Sequence, residues 1–285
     1  MRSAWSFCVR FSGITVRFEL PGPIKLPPAF QALRCEDDAP ADDVYTVSLL
    51  TEPLRPDALP LCRHHDYDIY RTNQGWLRIY PSLCDENGCQ VACLLCPEGN
   101  HTLYYPASRW DKLSDPWQCV QRMDGEGLLL RHDAFLLHSS VVMLEGKTVL
   151  FCGPSGAGKS TQARLWQTHL GAKILNGDRC ILRRTESGFI GGGSLWSGTS
   201  GIHHPDFAPV AAVFLLEKCS ENSVERLTSG AFLPLFSQTT VHSWDQEFME
   251  ILADLYADFL GSVPVYRLRC RPDRDAVRLA YETLF

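Results

Sequence analysis

The run Gly153, Pro154, Ser155, Gly156, Ala157, Gly158, Lys159, Ser160 and Thr161 constrains this chain more than any other stretch. It meets the pattern G-x-x-x-x-G-K-[ST] in full, with an apolar segment (Thr148 to Cys152) before it and helical spacing (Lys159 to Leu170) after it. Strand, glycine turn and helix in that order belong to an α/β layer. The glycines let successive backbone N–H groups turn inward around phosphate oxygens, and the helix adds the positive end of its dipole. Lys159 is then placed to reach the β- and γ-phosphates, and the Ser160 hydroxyl to ligate Mg²⁺. All nine residues form the expected nucleotide-binding set, with ATP and Mg²⁺ as cofactors.

A metal at such a loop needs a further acidic group. Asp178 lies about 20 positions beyond Lys159, after the predicted strand Lys173 to Leu175, and Glu217 ends the apolar run Val210 to Glu217. With Ser160 these carboxylates make the candidate metal-ligand set. Other readings stand beside this one: Asn176-Gly177-Asp178 favours a turn on its own, and strand-end carboxylates are often only solvated.

The texture of the chain changes near residue 126. Before it, period-two runs (Val44 to Leu49, Asp68 to Arg71, Trp76 to Tyr80, Gln90 to Leu95, His101 to Tyr105) alternate with turns at Asn73 to Gly75 and Asp85 to Gly88. That spacing predicts an antiparallel β-rich domain over 1–125. From 126 to 285 the rhythm is α/β. A buried strand over Ala134 to Val142 and a hairpin turn at Glu145 to Lys147 lead into the glycine loop. Gly171 stops the following helix. Further helices are predicted over Trp244 to Leu260 and Asp273 to Phe285. The proline in Val263 to Leu268 marks that strand as an edge.

With 285 residues, 45% hydrophobic positions and a formal charge of -6, the composition is globular, and no basic run points to nucleic acid as a partner. The most apolar stretch, Leu128 to Cys152, carries Arg131, His132, Asp133, Glu145 and Lys147, so no membrane span is expected. Arg10 and Arg17 interrupt the first twenty residues, which do not read as a secretory leader, and a cytoplasmic location is expected. The 12 cysteines follow no compact disulfide framework and read mostly as small buried groups. That includes Cys84, Cys89, Cys93 and Cys96, whose spacing invites zinc but whose only standard element lies in an apolar strand. His64-His65-Asp66 and His203-His204 read as surface loop residues.

Several of these segments together carry a family resemblance. His138 to Val142, Gly146-Lys147, Phe151 to Thr161 and Asn176-Gly177-Asp178-Arg179 look like the catalytic domain of HPr serine kinase/phosphorylase and its stand-alone bacterial relatives. Gly193 to Gly198 and Val263 to Leu268 look like positions typical of the same relatives. The resemblance covers roughly residues 130 to 285 and implies a P-loop kinase domain related in fold to phosphoenolpyruvate carboxykinase. It also implies catalytic roles for His138, Asp178 and Lys159, and assembly into homo-oligomers. Asp178 matches the second residue of the family's Asp-Asp pair, and the first, the family's general base, falls on Gly177. Either Asp178 takes on that duty, or His138 does, or the standard reaction is lost. The family's glycine-rich signature is not recognisable; Gly191 to Gly193 and Trp196 to Gly201 occupy that part of the chain, either as a loop over the acceptor or as an ordinary hairpin. Arg267 and Arg269 are weighed as groups that offset phosphoryl charge or simply face solvent.

The leading expectation is an ATP-dependent phosphotransferase that moves the γ-phosphoryl group to a hydroxyl acceptor: a serine of a protein or peptide, or a small metabolite. The alternative is a catalytically weak nucleotide-dependent switch or binding module, favoured by Gly177. A Ras-type GTPase or a transporter ATPase is disfavoured, since neither Asn-Lys-x-Asp nor Leu-Ser-Gly-Gly-Gln occurs. A reverse phosphorylase activity would rest on the resemblance alone.

Overall fold

The computed structural model describes residues 5–114, 122–228, 232–239 and 244–285, and not the side chains of Thr199, Phe232 and Leu233. Met1 to Ala4, at the head of the segment weighed as a leader, and Cys119 lie outside the described residues. The protein is a mixed α/β chain with two large sheets. It divides into two compact units. One is built from residues up to Leu128 apart from Phe11–Gly13, and the other from Leu129–Phe285 together with Phe11–Gly13.

The first unit holds eight strands: β1 (Trp5–Phe11), β2 (Ile14–Leu20), β3 (Asp43–Leu50), β4 (Cys62–Arg63), β5 (Asp68–Arg71), β6 (Trp76–Cys84), β7 (Gln90–Leu95) and β8 (Asn100–Pro106). They are ordered β1-β2-β3-β8-β7-β6-β5-β4. The expected antiparallel unit needs correcting, because β3 pairs parallel with both β2 and β8. The long connection through α1 (Pro28–Leu33) lets β3 return beside β2 in the same direction. Alternation fixes which face a side chain takes, not the direction of the neighbouring strand. Strand β2 escaped the sequence reading although Ile14, Val16, Phe18 and Leu20 are buried at period two, with Arg17 and Glu19 half-buried between them. Inside this unit Asp43 accepts from Nε2 of the fully buried His101 at 2.8 Å, and Arg78 pairs with Asp124 at 3.1 Å.

The second unit is where the glycine loop lies; the short helix α2 (Gly125–Leu130) leads into it, and a further short helix, α4 (Phe232–Phe236), belongs to it. Its strands are β9 (Ala134–Leu144), β10 (Lys147–Cys152), β11 (Lys173–Asn176), β12 (Arg179–Thr185), β13 (Gly188–Gly192), β14 (Phe207–Lys218), β15 (Ser223–Leu227) and β16 (Val265–Cys270). Strands β9 and β10 form a hairpin whose turn residues, Glu145 and Gly146, both take positive φ (50° and 73°). That handedness matches the twist of the strands it joins. On its other side β10 pairs parallel with β14, and β14 pairs parallel with β16. The near-continuous apolar run of β14 follows from that central position. The edge assignment for Val263 to Leu268 is overturned: β16 lies between β14 and β15. Pro264 precedes the strand, so its missing N–H removes nothing from the ladder, while its carbonyl accepts from Val213 N at 3.0 Å.

Alternate residues of β10 serve two cores. Leu150 and Cys152 join Leu137, Val141, Val213 and Val265 under α5 (Gln246–Ser262), which contributes Leu252, Leu255, Tyr256 and Phe259. Val149 and Phe151 join Phe214, Leu216 and Leu268 under α3 (Lys159–Leu170) and α6 (Arg274–Leu284). Asp245 and Asp273 cap α5 and α6 by accepting from Phe248 N and Ala276 N. Helix α3 carries the residues that follow the loop, and Trp166 anchors it, fully buried with its ring centroid 5.6 Å from that of Phe151. Trp166→Ala is expected to cost about 3–5 kcal/mol of stability, measured by urea denaturation of the whole chain.

Candidate functional site

The loop turns on three glycines in conformations that side chains rarely adopt: Gly153 (φ 145°), Gly156 (φ 78°) and Gly158 (φ 105°). Gly153 is also close-packed, since a Cβ there would sit 3.3 Å from the Leu216 carbonyl oxygen of β14. Helix α3 then begins at Lys159 with Gly158 as its N-cap and no side-chain cap. Its first N–H groups, which have no intrahelical partner, are left for an anion. Ser155, Gly156, Ser160 and Thr161 are exposed. The Lys159 ammonium folds back over the turn and donates to the carbonyls of Gly153 (2.8 Å) and Pro154 (3.4 Å). Burial lowers its pKa, against the opposing pull of Cys152 and Asp178.

Asp178 arrives from the turn between β11 and β12. The turn is fixed by Asn176, whose buried side chain accepts from the N–H groups of Asp178 and Arg179 at 2.9 Å each. Strand register places Arg179 opposite His138 of β9. The Asp178 carboxylate consequently meets His138 Nε2 at 3.2 Å and lies 3.6 Å from Arg179 Nε. The hydrogen bond from His138, then charge attraction, outweighs burial and holds the Asp178 carboxyl below its ordinary value. Of the three residues expected to be catalytic, His138 and Asp178 thus meet directly, and the Lys159 ammonium lies within electrostatic reach of Asp178.

The segment after β13 closes over this turn. Asn176 Nδ2 donates to Ser194 Oγ at 3.1 Å and to Trp196 O at 3.2 Å. His203 donates from Nδ1 to Ser194 O at 3.0 Å, which leaves Nε2 to accept from the Ser197 hydroxyl at 2.9 Å. His203 is therefore a half-buried pin, not the surface residue expected, and burial lowers its pKa. Gly198, at φ 53°, packs so near Asp178 that a Cβ would fall 2.6 Å from the carboxyl carbon. A Cβ on Gly177 would fall 2.5 Å from Cβ of Ser200. The volume that a carboxylate at Gly177 would need is filled by the Ser200 side chain, a relation no local sequence pattern reveals.

Glu217 is in a different situation from Asp178. It stands exposed one residue before the end of β14, 3.3 Å from Arg269 Nε and 3.7 Å from Arg267 Nε, and Arg267 also meets Glu225 at 3.1 Å. Its carboxylate already has two guanidinium partners, and both arginines weighed as phosphoryl ligands are tied to carboxylates. Among the described residues, the one group of three acidic, thiol or imidazole side chains with converging ligand atoms is the exposed His64, His65 and Asp66. Cys84, Cys89, Cys93 and Cys96 do not converge, and the described cysteines are free thiols. Among the described residues no helix is long and apolar enough to cross a membrane.

No family model matches the chain. No curated protein matches it either. Among solved structures, the HPr(Ser) kinase/phosphatase from Coxiella burnetii aligns over 52% of this chain and 95% of that one, with 11% identity and a TM-score of 0.32. A likeness that distant carries no argument, so the functional reading rests on the site geometry.

The packing of Ser200 against Gly177 is directly testable. Gly177→Ala is expected to destabilise the protein by about 1–3 kcal/mol through overpacking. Adding Ser200→Gly should return most of that loss. Thermal melting of the single and double variants measures it, and additive effects would contradict the contact.

Proposed function

We propose that the protein is an ATP-dependent phosphotransferase that moves the γ-phosphoryl group to a hydroxyl. The observation that carries this reading is the Asp178–His138 pair standing within electrostatic reach of the Lys159 ammonium on the glycine loop. A nest of N–H groups at a helix start suits a polyphosphate, and a carboxylate–imidazole pair beside it suits proton removal from an attacking hydroxyl.

The donor set beside the loop fits Mg²⁺, which favours hard oxygen ligands and keeps several waters. Asp178, held ionised by His138, and the exposed Ser160 would hold it with phosphate oxygens. Glu217 is the weaker member of the expected set because its carboxylate is committed to Arg267 and Arg269. The ion would offset charge on the bridging and terminal phosphate oxygens.

Each side chain then has a defined task. Lys159 exchanges the Gly153 and Pro154 carbonyls for the β- and γ-phosphates. Asp178 accepts from His138 Nε2, which fixes the imidazole tautomer and leaves Nδ1 as a lone-pair acceptor. An aspartate held below its ordinary pKa is a weaker proton acceptor and a firmer anchor, so base duty falls to His138. The acceptor oxygen forms a bond to γ-phosphorus as the bond to the β–γ bridging oxygen breaks. The acceptor proton passes to His138 Nδ1, and ADP leaves with the bridging oxygen. The acceptor is a serine of a protein or peptide, or the hydroxyl of a small metabolite.

A second reading draws on Ser200, which stands where a first carboxylate would be. A site closed in that way would bind and slowly hydrolyse nucleotide, acting as a switch. Transfer from γ-labelled Mg-ATP into size-fractionated host extract separates the two. The phosphotransferase reading expects label on one fraction, reduced on the order of a hundredfold or more in Lys159→Ala and in His138→Gln. Binding of Mg-ATP without any labelled fraction would favour the switch.

A further inference from the structure

A cavity of about 340 Å³ lies against the back of the glycine loop, lined by Gly156 to Gly158 on one side and by Cys219, Cys270, Arg271 and Pro272 on the other. Its size is at the lower end of the roughly 300–1,000 Å³ of small-molecule pockets. The topology explains its place. Strands β10, β14 and β16 run parallel, and the cavity sits beyond their carboxyl ends, where open α/β sheets bind ligands. The Cys219 N–H donates to the Cys270 carbonyl at 3.2 Å and holds two of those strand ends together.

We infer that this cavity seats the purine base and ribose of the nucleotide whose phosphates occupy the loop, with Gln162 as the polar contact to the base. The inference rests on the nucleotide reading above and adds where the base goes and what recognises it. Ala157, Pro272 and the two cysteines give walls suited to a flat ring, and the charged side chains in the lining, Lys218 and Arg271, are both cations. Gln162 lines the cavity with 3% of its surface exposed. Its Nε2 meets Cys270 Sγ at 3.3 Å, while its Oε1 has no hydrogen-bond partner among the described residues. Turning the amide over would satisfy the oxygen and strand the nitrogen, so one end of a buried carboxamide is unspent either way. A buried polar atom without a partner is costly. The oxygen is sealed from solvent as the side chain stands, and a turn of the carboxamide into the cavity would offer it to an adenine edge, which carries an amine donor beside a ring-nitrogen acceptor.

Titration calorimetry with Mg-ATP and with Mg-tripolyphosphate tests this on the full chain. Wild type is expected to bind ATP at least tenfold more tightly than tripolyphosphate. Cys219→Trp, which fills the cavity, should erase that gap and leave tripolyphosphate binding intact, showing that the variant is folded. Lys159→Ala should lose both ligands. A Cys219→Trp protein that retains the full preference for ATP overturns the base seat while sparing the loop, and wild type that binds neither ligand overturns both. Alkylation of Cys219 in the unaltered protein, followed by peptide mapping, gives a second readout. ATP should slow it and tripolyphosphate should not; equal protection by both, or none by ATP, counts against the proposal.

Discussion

One buried carboxamide, that of Asn176, holds the second unit's site in shape. Its oxygen takes the N–H groups of Asp178 and Arg179, and its nitrogen reaches Ser194 and Trp196. Replacing it with an apolar residue would strand several buried donors and acceptors, each at a cost of about 1–3 kcal/mol. Because Asn176 serves the β11–β12 turn and the segment after β13 together, neither can shift without the other. That shared anchor explains why Gly198 lies on Asp178 and Ser200 on Gly177, and why His203 is tied down beside them.

The sheet sets where this anchor stands relative to the loop. Strand β10 is paired on both sides and buried on both faces, so the loop after it starts from a rigid point. Strand β9 serves three partners: its second half pairs with β10 on one side and β11 on the other, and its first half, including His138, pairs with β12. A long strand that joins the loop's neighbour to Asp178's neighbour keeps the imidazole and the carboxylate in register with Lys159. Preorganisation of this kind, more than covalent chemistry, is what phosphoryl transfer demands of a protein.

Much of this was legible in the sequence where the cause is local. The glycines of the loop, the helix ending at Gly171 and the Glu145-Gly146 turn are each dictated by backbone conformation, and each appears where expected. The gathering of His138 and Asp178 was legible only through resemblance, since forty residues separate them and strand register unites them. What stayed hidden depends on tertiary approach. Nothing near Gly177 announces Ser200, nothing near His203 announces its two hydrogen bonds, and the arginines opposite Glu217 come from a strand fifty residues away. The direction of β3 was hidden for the same reason, because a period-two pattern is blind to which way its neighbours run.

The most direct measurement is a crystal structure with Mg²⁺ and a non-hydrolysable ATP analogue. The β- and γ-phosphates should lie against the N–H groups of Gly156 to Ser160. Lys159 should have left the Gly153 and Pro154 carbonyls for the phosphates, and the γ-phosphate should face the Asp178–His138 pair. A triphosphate bound elsewhere, or one on the loop with its γ-phosphate turned away from that pair, would contradict it.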